Sequence, residues 1–116
     1  MAILGDMREL GQYTESAHRA VGKLLADRAD RLITVGPAAK FIADAALPML
    51  GPERILSFDT ALQAKEKIRD IIEARDIILV KGSQFVRLEK IVEEIMLEPE
   101  RKKDLLARQY GKWLIT

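Results

Sequence analysis

The sequence predicts an α/β domain, a three-layer αβα sandwich around a mostly parallel sheet. Three observations predict it. First, four apolar runs are too short for helices, the last of them mostly β-branched: Ala2-Ile3-Leu4, Arg31-Leu32-Ile33-Thr34-Val35, Ile55-Leu56-Ser57-Phe58 and Ile77-Ile78-Leu79-Val80. Second, the stretches between them carry apolar residues three and four apart, the spacing of a helix with one buried face. Third, three of the four turns that close these runs carry glycine, at Gly5, Gly36 and Gly82. Alternation of strand and helix implies right-handed crossovers and a sheet covered on both faces.

Taken in order, Ala2 to Leu4 is a strand stopped by Gly5-Asp6, and Met7 to Tyr13 is a loop. Thr14 is placed to cap a helix whose inner face carries Ala17, Ala20, Val21, Leu24 and Leu25, ending near Asp27-Arg28. The second strand, Arg31 to Val35, stops at Gly36. Pro37 suits the first turn of a helix that buries Ala38, Phe41, Ile42, Ala45 and Ala46 and that Pro48 ends. After the third strand, Asp59 reads as the cap of a helix burying Ala61, Ala64, Ile68, Ile71 and Ile72. The fourth run reads as a strand buried on both faces, followed by a helix to about Leu97 through Leu88, Ile91, Val92, Ile95 and Met96. Pro99 marks a break, a further helix runs from Glu100 to Gln109, Gly111 ends it, and Trp113-Leu114-Ile115 forms a tail or edge strand.

Composition narrows the function classes. The 116 residues suit one domain, and 48% apolar with 32% charged residues describes a folded chain. Nineteen Lys and Arg against eighteen Asp and Glu give a net charge of +1, which argues against a dedicated nucleic-acid binder. The absence of cysteine removes disulfides, thiolate nucleophiles and cysteine metal sites, and fits a cytoplasmic location. No apolar run approaches the ~18 residues of a membrane helix. The start has neither the charged head nor the apolar run of a signal peptide. Neither G-x-G-x-x-G nor G-x-x-x-x-G-K-[ST] occurs, so no self-contained nucleotide site is recognisable.

In open α/β sheets ligands bind beyond the carboxyl ends of the strands. The foremost candidate is Lys81-Gly82-Ser83, where a lysine, a hydroxyl and a following helix N-terminus could hold an anion; it could also be a plain turn with a serine cap. Arg87, one turn on, could grip a carboxylate with two parallel bonds or be solvated. Asp6 could bind a cation or an ammonium group, or bond its own turn. Asp59 with Lys81 loosely matches the phospho-acceptor and lysine of a receiver domain, but such domains need an acidic pair after the first strand and only Asp6 is present. His18, the only histidine, has no second ligand for a metal and reads as a helix-flank residue.

Several of these residues fall into one pattern. Leu4-Gly5-Asp6-Met7-Arg8-Glu9-Leu10-Gly11 with His18 downstream resembles the "LGDMxELG…H" segment of the Mur ligases. Ala29-Asp30-Arg31-Leu32-Ile33-Thr34-Val35-Gly36 is similar to that family's "AD" strand ending in VG. Ile78-Leu79-Val80-Lys81-Gly82-Ser83, then Arg87-Leu88-Glu89-Lys90-Ile91-Val92, is similar to its "VKGS…RxExxV" segment. The nearest resemblance is to the branch that adds D-alanyl-D-alanine to UDP-N-acetylmuramoyl-tripeptide.

The resemblance implies a Rossmann-like C-terminal domain of a three-domain, cytoplasmic ligase of peptidoglycan synthesis, and hence a part in cell-wall biogenesis, cell shape and cell division. In that family ATP, with Mg, makes an acyl phosphate that the amine of the incoming dipeptide attacks. The C-terminal domain closes over the central ATPase domain, helps complete the ATP pocket and presents the acceptor. It further implies an acceptor site at Lys81, Gly82, Ser83 and Arg87. Gly36 lies in the loop that carries acceptor-binding residues in a tripeptide-forming relative, whose Asn and Arg are missing here; Asp6 would shape its own loop. The family's domain opens with a further strand and helix bearing "DDSYNANP", which this sequence lacks, as it lacks the P-loop, metal ligands and carbamylated lysine of the central domain. The expectations are therefore no cofactor bound by this chain alone, no ligase activity alone, and some self-association along an open flank. The alternatives are a free-standing receiver-like signalling domain and an α/β interaction domain.

Overall fold

The computed structural model describes residues 1–106. Four strands, β1 (Ala2–Gly5), β2 (Leu32–Val35), β3 (Ile55–Phe58) and β4 (Leu79–Lys81), form one sheet in the order β3-β2-β1-β4. Every pairing is parallel, with Ile3 opposite both Ile33 and Val80. The helices are α1 (Thr14–Leu25), α2 (Lys40–Leu50), α3 (Ala61–Ile71), α4 (Glu89–Ile95) and the short α5 (Lys102–Leu105). Short 3-10 turns at Gly11–Tyr13, Pro52–Arg54, Gln84–Val86 and Pro99–Arg101 join them. The α/β sandwich expected from the alternation is the one observed.

The two central strands are buried at every position, because side chains alternate between two cores. Ala2, Leu4 and Leu32 meet Ile42, Ala46 and Leu50 of α2, with Val21 and Leu25 of α1 at the margin. Ile3, Ile33 and Val35 meet Ala61, Ala64 and Ile68 of α3 and Ile91 of α4 on the other face. Buried Thr34 sits opposite Ser57 in the neighbouring strand and donates to its hydroxyl at 2.7 Å, which removes the cost of a buried hydroxyl. Helix α1 turns His18 and Gly22 inward, and Ala26 just past its end is buried too. A side chain at Gly22 would stand 2.3 Å from the Ile42 carbonyl, so glycine there lets α1 and α2 cross closely.

Several local expectations change. Ala20 and Leu24 are exposed, because the buried stripe of α1 is centred on His18 and Gly22, which a purely apolar pattern skips. Thr14 gives no side-chain cap; its hydroxyl donates to the Gly11 carbonyl at 2.8 Å. Pro48 lies inside α2, which ends two residues later where Gly51 takes a φ of 89°. Thr60, not Asp59, caps α3, accepting from the Gln63 N–H at 3.3 Å while the Gln63 side chain accepts from the Asp59 N–H at 3.0 Å. Among the described residues, β4 is an edge strand paired only with β1. Ile78 and Val80 pack into the α3–α4 core, but Ile77 is 89% and Leu79 55% exposed, so the strand is covered on one face rather than two. The helix after it is interrupted: Arg87 adopts a left-handed φ of 61° and α4 spans only Glu89–Ile95. The further helix expected from Glu100 to Gln109 is a single short turn, Lys102–Leu105, ended where Leu106 takes an extended conformation; Gly111 and the Trp113 tail lie outside the described residues.

Strands β1, β2 and β3 step outward in one direction, and the chain then crosses back to place β4 on the other side of β1. The direction of winding therefore reverses between β1 and β4. A crevice opens at the carboxyl ends of such a pair of strands. Those ends are Gly5-Asp6 and Lys81-Gly82-Ser83.

Candidate functional site

The crevice is framed by backbone. Gly82 faces Gly5: a side chain at Gly82 would meet the Gly5 Cα at 3.0 Å and the Leu88 Cδ1 at 2.8 Å. Asp6 ties three strand ends together. Its N–H donates to the Val35 carbonyl at 3.3 Å, its carbonyl accepts from the Ser83 N–H at 3.0 Å, and its carboxylate Oδ1 accepts from the Ala39 N–H at 2.7 Å. That last bond places a carboxylate at the start of α2, where the helix dipole favours it. Gly36, at a φ of 111°, lies against the same carboxylate, and a side chain there would stand 2.4 Å from Oδ1. Asp6 and Gly36 are thus brought together as one brace between β1, β2 and α2.

His18 completes the brace from below. It is fully buried, its Nε2 accepts from the Met7 N–H at 3.0 Å, and its Nδ1 lies 2.6 Å from the Thr14 carbonyl. An accepting Nε2 puts the ring's proton on Nδ1, which donates to Thr14. The histidine pins the Asp6–Leu10 loop to α1 and takes no part in a metal cluster; among the described residues no group of three or more His, Cys, Asp or Glu could hold a metal ion.

Lys81 and Ser83 line a cavity of about 340 Å³ with Leu4, Gly5, Met7, Val21 and Ile42. They also line a second hollow of about 330 Å³ with Gln84, Leu88, Glu89 and Val92. The Ser83 Oγ is buried and has no hydrogen-bond partner among the described residues. Lys81 is exposed and makes no ion pair with a described residue. A buried hydroxyl without a partner costs about 1–3 kcal/mol unless something bonds it. An ammonium and a free hydroxyl over apolar walls suit a small ligand with an anionic or carbonyl end and short alkyl groups.

Arg87 does not join them. Its side chain is about nine-tenths buried and its Nε donates to the Glu89 carboxylate, so its charge is matched inside the fold. Glu89, not Arg87, lines the hollow beside Lys81. The helix-dipole half of the expectation for Lys81-Gly82-Ser83 also falls away, because a 3-10 turn and left-handed Arg87 separate Ser83 from α4. Asp59 and Lys81 end strands at opposite edges of the sheet, and Asp59 lies 3.6 Å from the Lys40 ammonium, so the receiver-like trio does not converge. Met7, Val21 and Ile42 were not singled out by sequence; the signal for Met7 was adjacency to Asp6, and the other two carried none beyond their helical faces.

Comparison with known proteins follows the same lines. The sequence pattern of "Mur ligase, glutamate ligase domain" matches residues 1–84. The chain is 32% identical over 100 residues to the UDP-N-acetylmuramoyl-tripeptide--D-alanyl-D-alanine ligase of Bacillus subtilis (strain 168), covering 85% of this chain and 22% of that one. To the enzyme of the same name from Rickettsia prowazekii (strain Madrid E) it is 32% identical over 95 residues, covering 79% and 20%. In structure it is similar to MurF from Acinetobacter baumannii, with TM-scores of 0.67 and 0.61 to two crystal structures at 24% and 27% identity, covering 81% of this chain in both. The chain spans about a fifth of the length of these relatives.

Proposed function

The chain belongs to the Mur ligase family through its glutamate ligase domain, and on that premise we propose that it is the acceptor-binding C-terminal part of an ATP-dependent ligase that joins D-alanyl-D-alanine to UDP-N-acetylmuramoyl-tripeptide. The observation that carries the acceptor assignment is the pairing of Lys81 with the unpartnered Ser83 Oγ over one apolar cavity at the β1–β4 crevice. In this reading the Lys81 ammonium holds the dipeptide carboxylate, Ser83 Oγ bonds its carboxylate or peptide carbonyl, and Leu4, Met7 and Val21 receive its methyl groups. Gly82 allows the close approach, and Asp6 and Gly36 hold the rim. Arg87 acts through Glu89 by fixing the hollow's wall and does not touch the acceptor.

ATP and Mg belong to the rest of the enzyme in this proposal, because this sequence carries no P-loop. The described residues contain no helix long and apolar enough to cross a membrane; we assign the protein to the cytoplasm on family grounds. With no P-loop in its sequence, the chain alone should release phosphate only at background with UDP-tripeptide, ATP and dipeptide.

The decisive test is chemical-shift mapping of the chain with D-alanyl-D-alanine. Shifts are expected at Gly5, Met7, Lys81, Gly82 and Ser83, weakened about tenfold or more in Lys81→Ala, the loss of one charge-assisted bond. Shifts confined to the amino ends of the strands would overturn the assignment.

A further inference from the structure

A single peptide joins the buried histidine to the Lys81–Ser83 turn. The carbonyl of the Asp6–Met7 peptide accepts from the Ser83 N–H at 3.0 Å, and its N–H donates to His18 Nε2 at 3.0 Å. In a planar trans peptide these two groups point in opposite directions. One rigid plate is thus gripped by the turn after β4 on one side and by α1 on the other. The ring is fixed in its turn by Nδ1, 2.6 Å from the Thr14 carbonyl. A continuous chain of bonds therefore runs from the start of α1, through the ring and the peptide, to the backbone of Ser83.

The chain ends at the cavity that Lys81 lines. Met7 is one wall of it, Val21, one turn past His18 on α1, is another, and Ser83 lies beside them. The ring can serve this chain in one protonation state only. Neutral, with its proton on Nδ1, it offers a lone pair to the Met7 N–H. Once Nε2 is protonated, both ring nitrogens are donors and an N–H faces an N–H. Either the Met7 bond is then lost or the peptide turns over, which takes the Asp6 carbonyl away from Ser83.

The charged groups on the elements packed around the fully buried ring are engaged elsewhere or exposed. In the loop, Asp6 accepts from the Ala39 N–H, Arg8 lies over the Phe85 ring and Glu9 is exposed. On α1, Glu15 pairs with Arg19; on α2, Lys40 lies beside Asp59, and Asp44 is exposed. Among the described residues none of them forms an ion pair with the ring.

We propose that neutral His18 is a positioning residue of the Lys81–Ser83 site: by gripping the Asp6–Met7 peptide it holds Ser83 and the Met7 wall in the arrangement that receives the ligand, and its protonation releases them. The identity of the ligand rests on the acceptor reading; the coupling of His18 to Ser83 does not.

The chain has one histidine, so the Cε1–H signal of its ring is unambiguous. That signal is followed from about pH 8 to about pH 5, the interval in which histidine side chains ordinarily gain their proton, together with the Met7 and Ser83 amides and the affinity for D-alanyl-D-alanine. Both amides are expected to shift in step with the ring, and the affinity to fall about tenfold or more as the ring is protonated. His18→Gln places a carbonyl that does not titrate near the position of Nε2. It should keep most of the neutral-pH affinity and flatten the profile, and it controls for the titration of the dipeptide itself. His18→Phe fills the space without an acceptor; it should displace both amide signals and bind about tenfold more weakly at every pH. A Ser83 amide that stays still while the ring titrates overturns the proposal. If the ring keeps a single proton over the whole interval, the variants decide alone, and equal binding by His18→Gln and His18→Phe overturns it. Ser83 shifts that follow His18 with no dipeptide bound at any pH remove only the acceptor reading. Dipeptide binding at Lys81 that ignores both pH and the His18 variants removes only this one.

Discussion

Two connections leave neighbouring strands at the same end of the sheet, one after β1 and one after β4, and they use their polar residues in opposite ways. After β1, Asp6 and His18 are both bonded within the fold, to Ala39 and to Met7 and Thr14. After β4, the Ser83 hydroxyl has no hydrogen-bond partner and Lys81 no ion pair among the described residues. Arg87, four residues on, is matched by Glu89. A polar residue in a family-like motif can therefore be part of the frame or part of a site, and its partners decide which.

The sharpest way to break that contrast is to remove a frame residue. His18→Ala should destabilise the chain by about 3 kcal/mol, since it opens a cavity and leaves the half-buried Met7 N–H without its acceptor. Urea unfolding measures it. Lys81→Ala, measured alongside, should change stability by less than about 0.5 kcal/mol, as an exposed side chain with no partner does. Equal losses in the two variants would erase the distinction between frame and site.

A smaller effect belongs to the half that carries β4. Glu93 lies between Lys65 at 2.9 Å and Lys102 at 3.1 Å, tying α4 to α3 and to α5. Burial raises its carboxyl, but hydrogen bonds and charge from Lys65 and Lys102 outweigh that and hold it below the usual carboxylate range. A lowered folded-state value stabilises the fold above the unfolded value near 4.5 and is lost as pH falls through the folded value. Glu93→Gln should therefore cost about 1 kcal/mol at neutral pH and nothing once the wild-type carboxylate is protonated. Thermal unfolding between neutral and acid pH checks it; a pH-independent difference would point to lost packing instead.

The same contrast explains what could be read from the letters. Alternation of apolar runs with amphipathic stretches revealed the α/β layers, because burial on both faces leaves β1 and β2 no polar position except Thr34, which bonds Ser57. Strand order was not legible, so an apolar β4 looked central although Ile77 and Leu79 stand in the open. The inner face of α1 was misjudged because a histidine and a glycine occupy it, and both work by fit rather than by hydrophobicity. The Lys81-Gly82-Ser83 turn was legible as a candidate. The retreat of Arg87 was not, since it depends on a left-handed residue and on Glu89 two positions on.

The exposed flank of β4 supports the smallest prediction. The Leu79 N–H donates inward to the Met1 carbonyl at 3.1 Å, and in a parallel ladder successive residues point to opposite sides, so Ile78 and Val80 direct their N–H and C=O groups away from the sheet. An edge unpaired among the described residues, beside exposed Ile77 and Leu79, invites a second copy to pair along it, while a strand of three residues offers few bonds for doing so. Weak association is the outcome, visible in sedimentation velocity as a weight-average that rises with concentration. Ile77→Lys should abolish that rise and leave folding stability within about 0.5 kcal/mol, because a charge on an open edge deters pairing without touching either core. A concentration dependence unchanged by the lysine would assign association to another surface and leave β4 merely exposed.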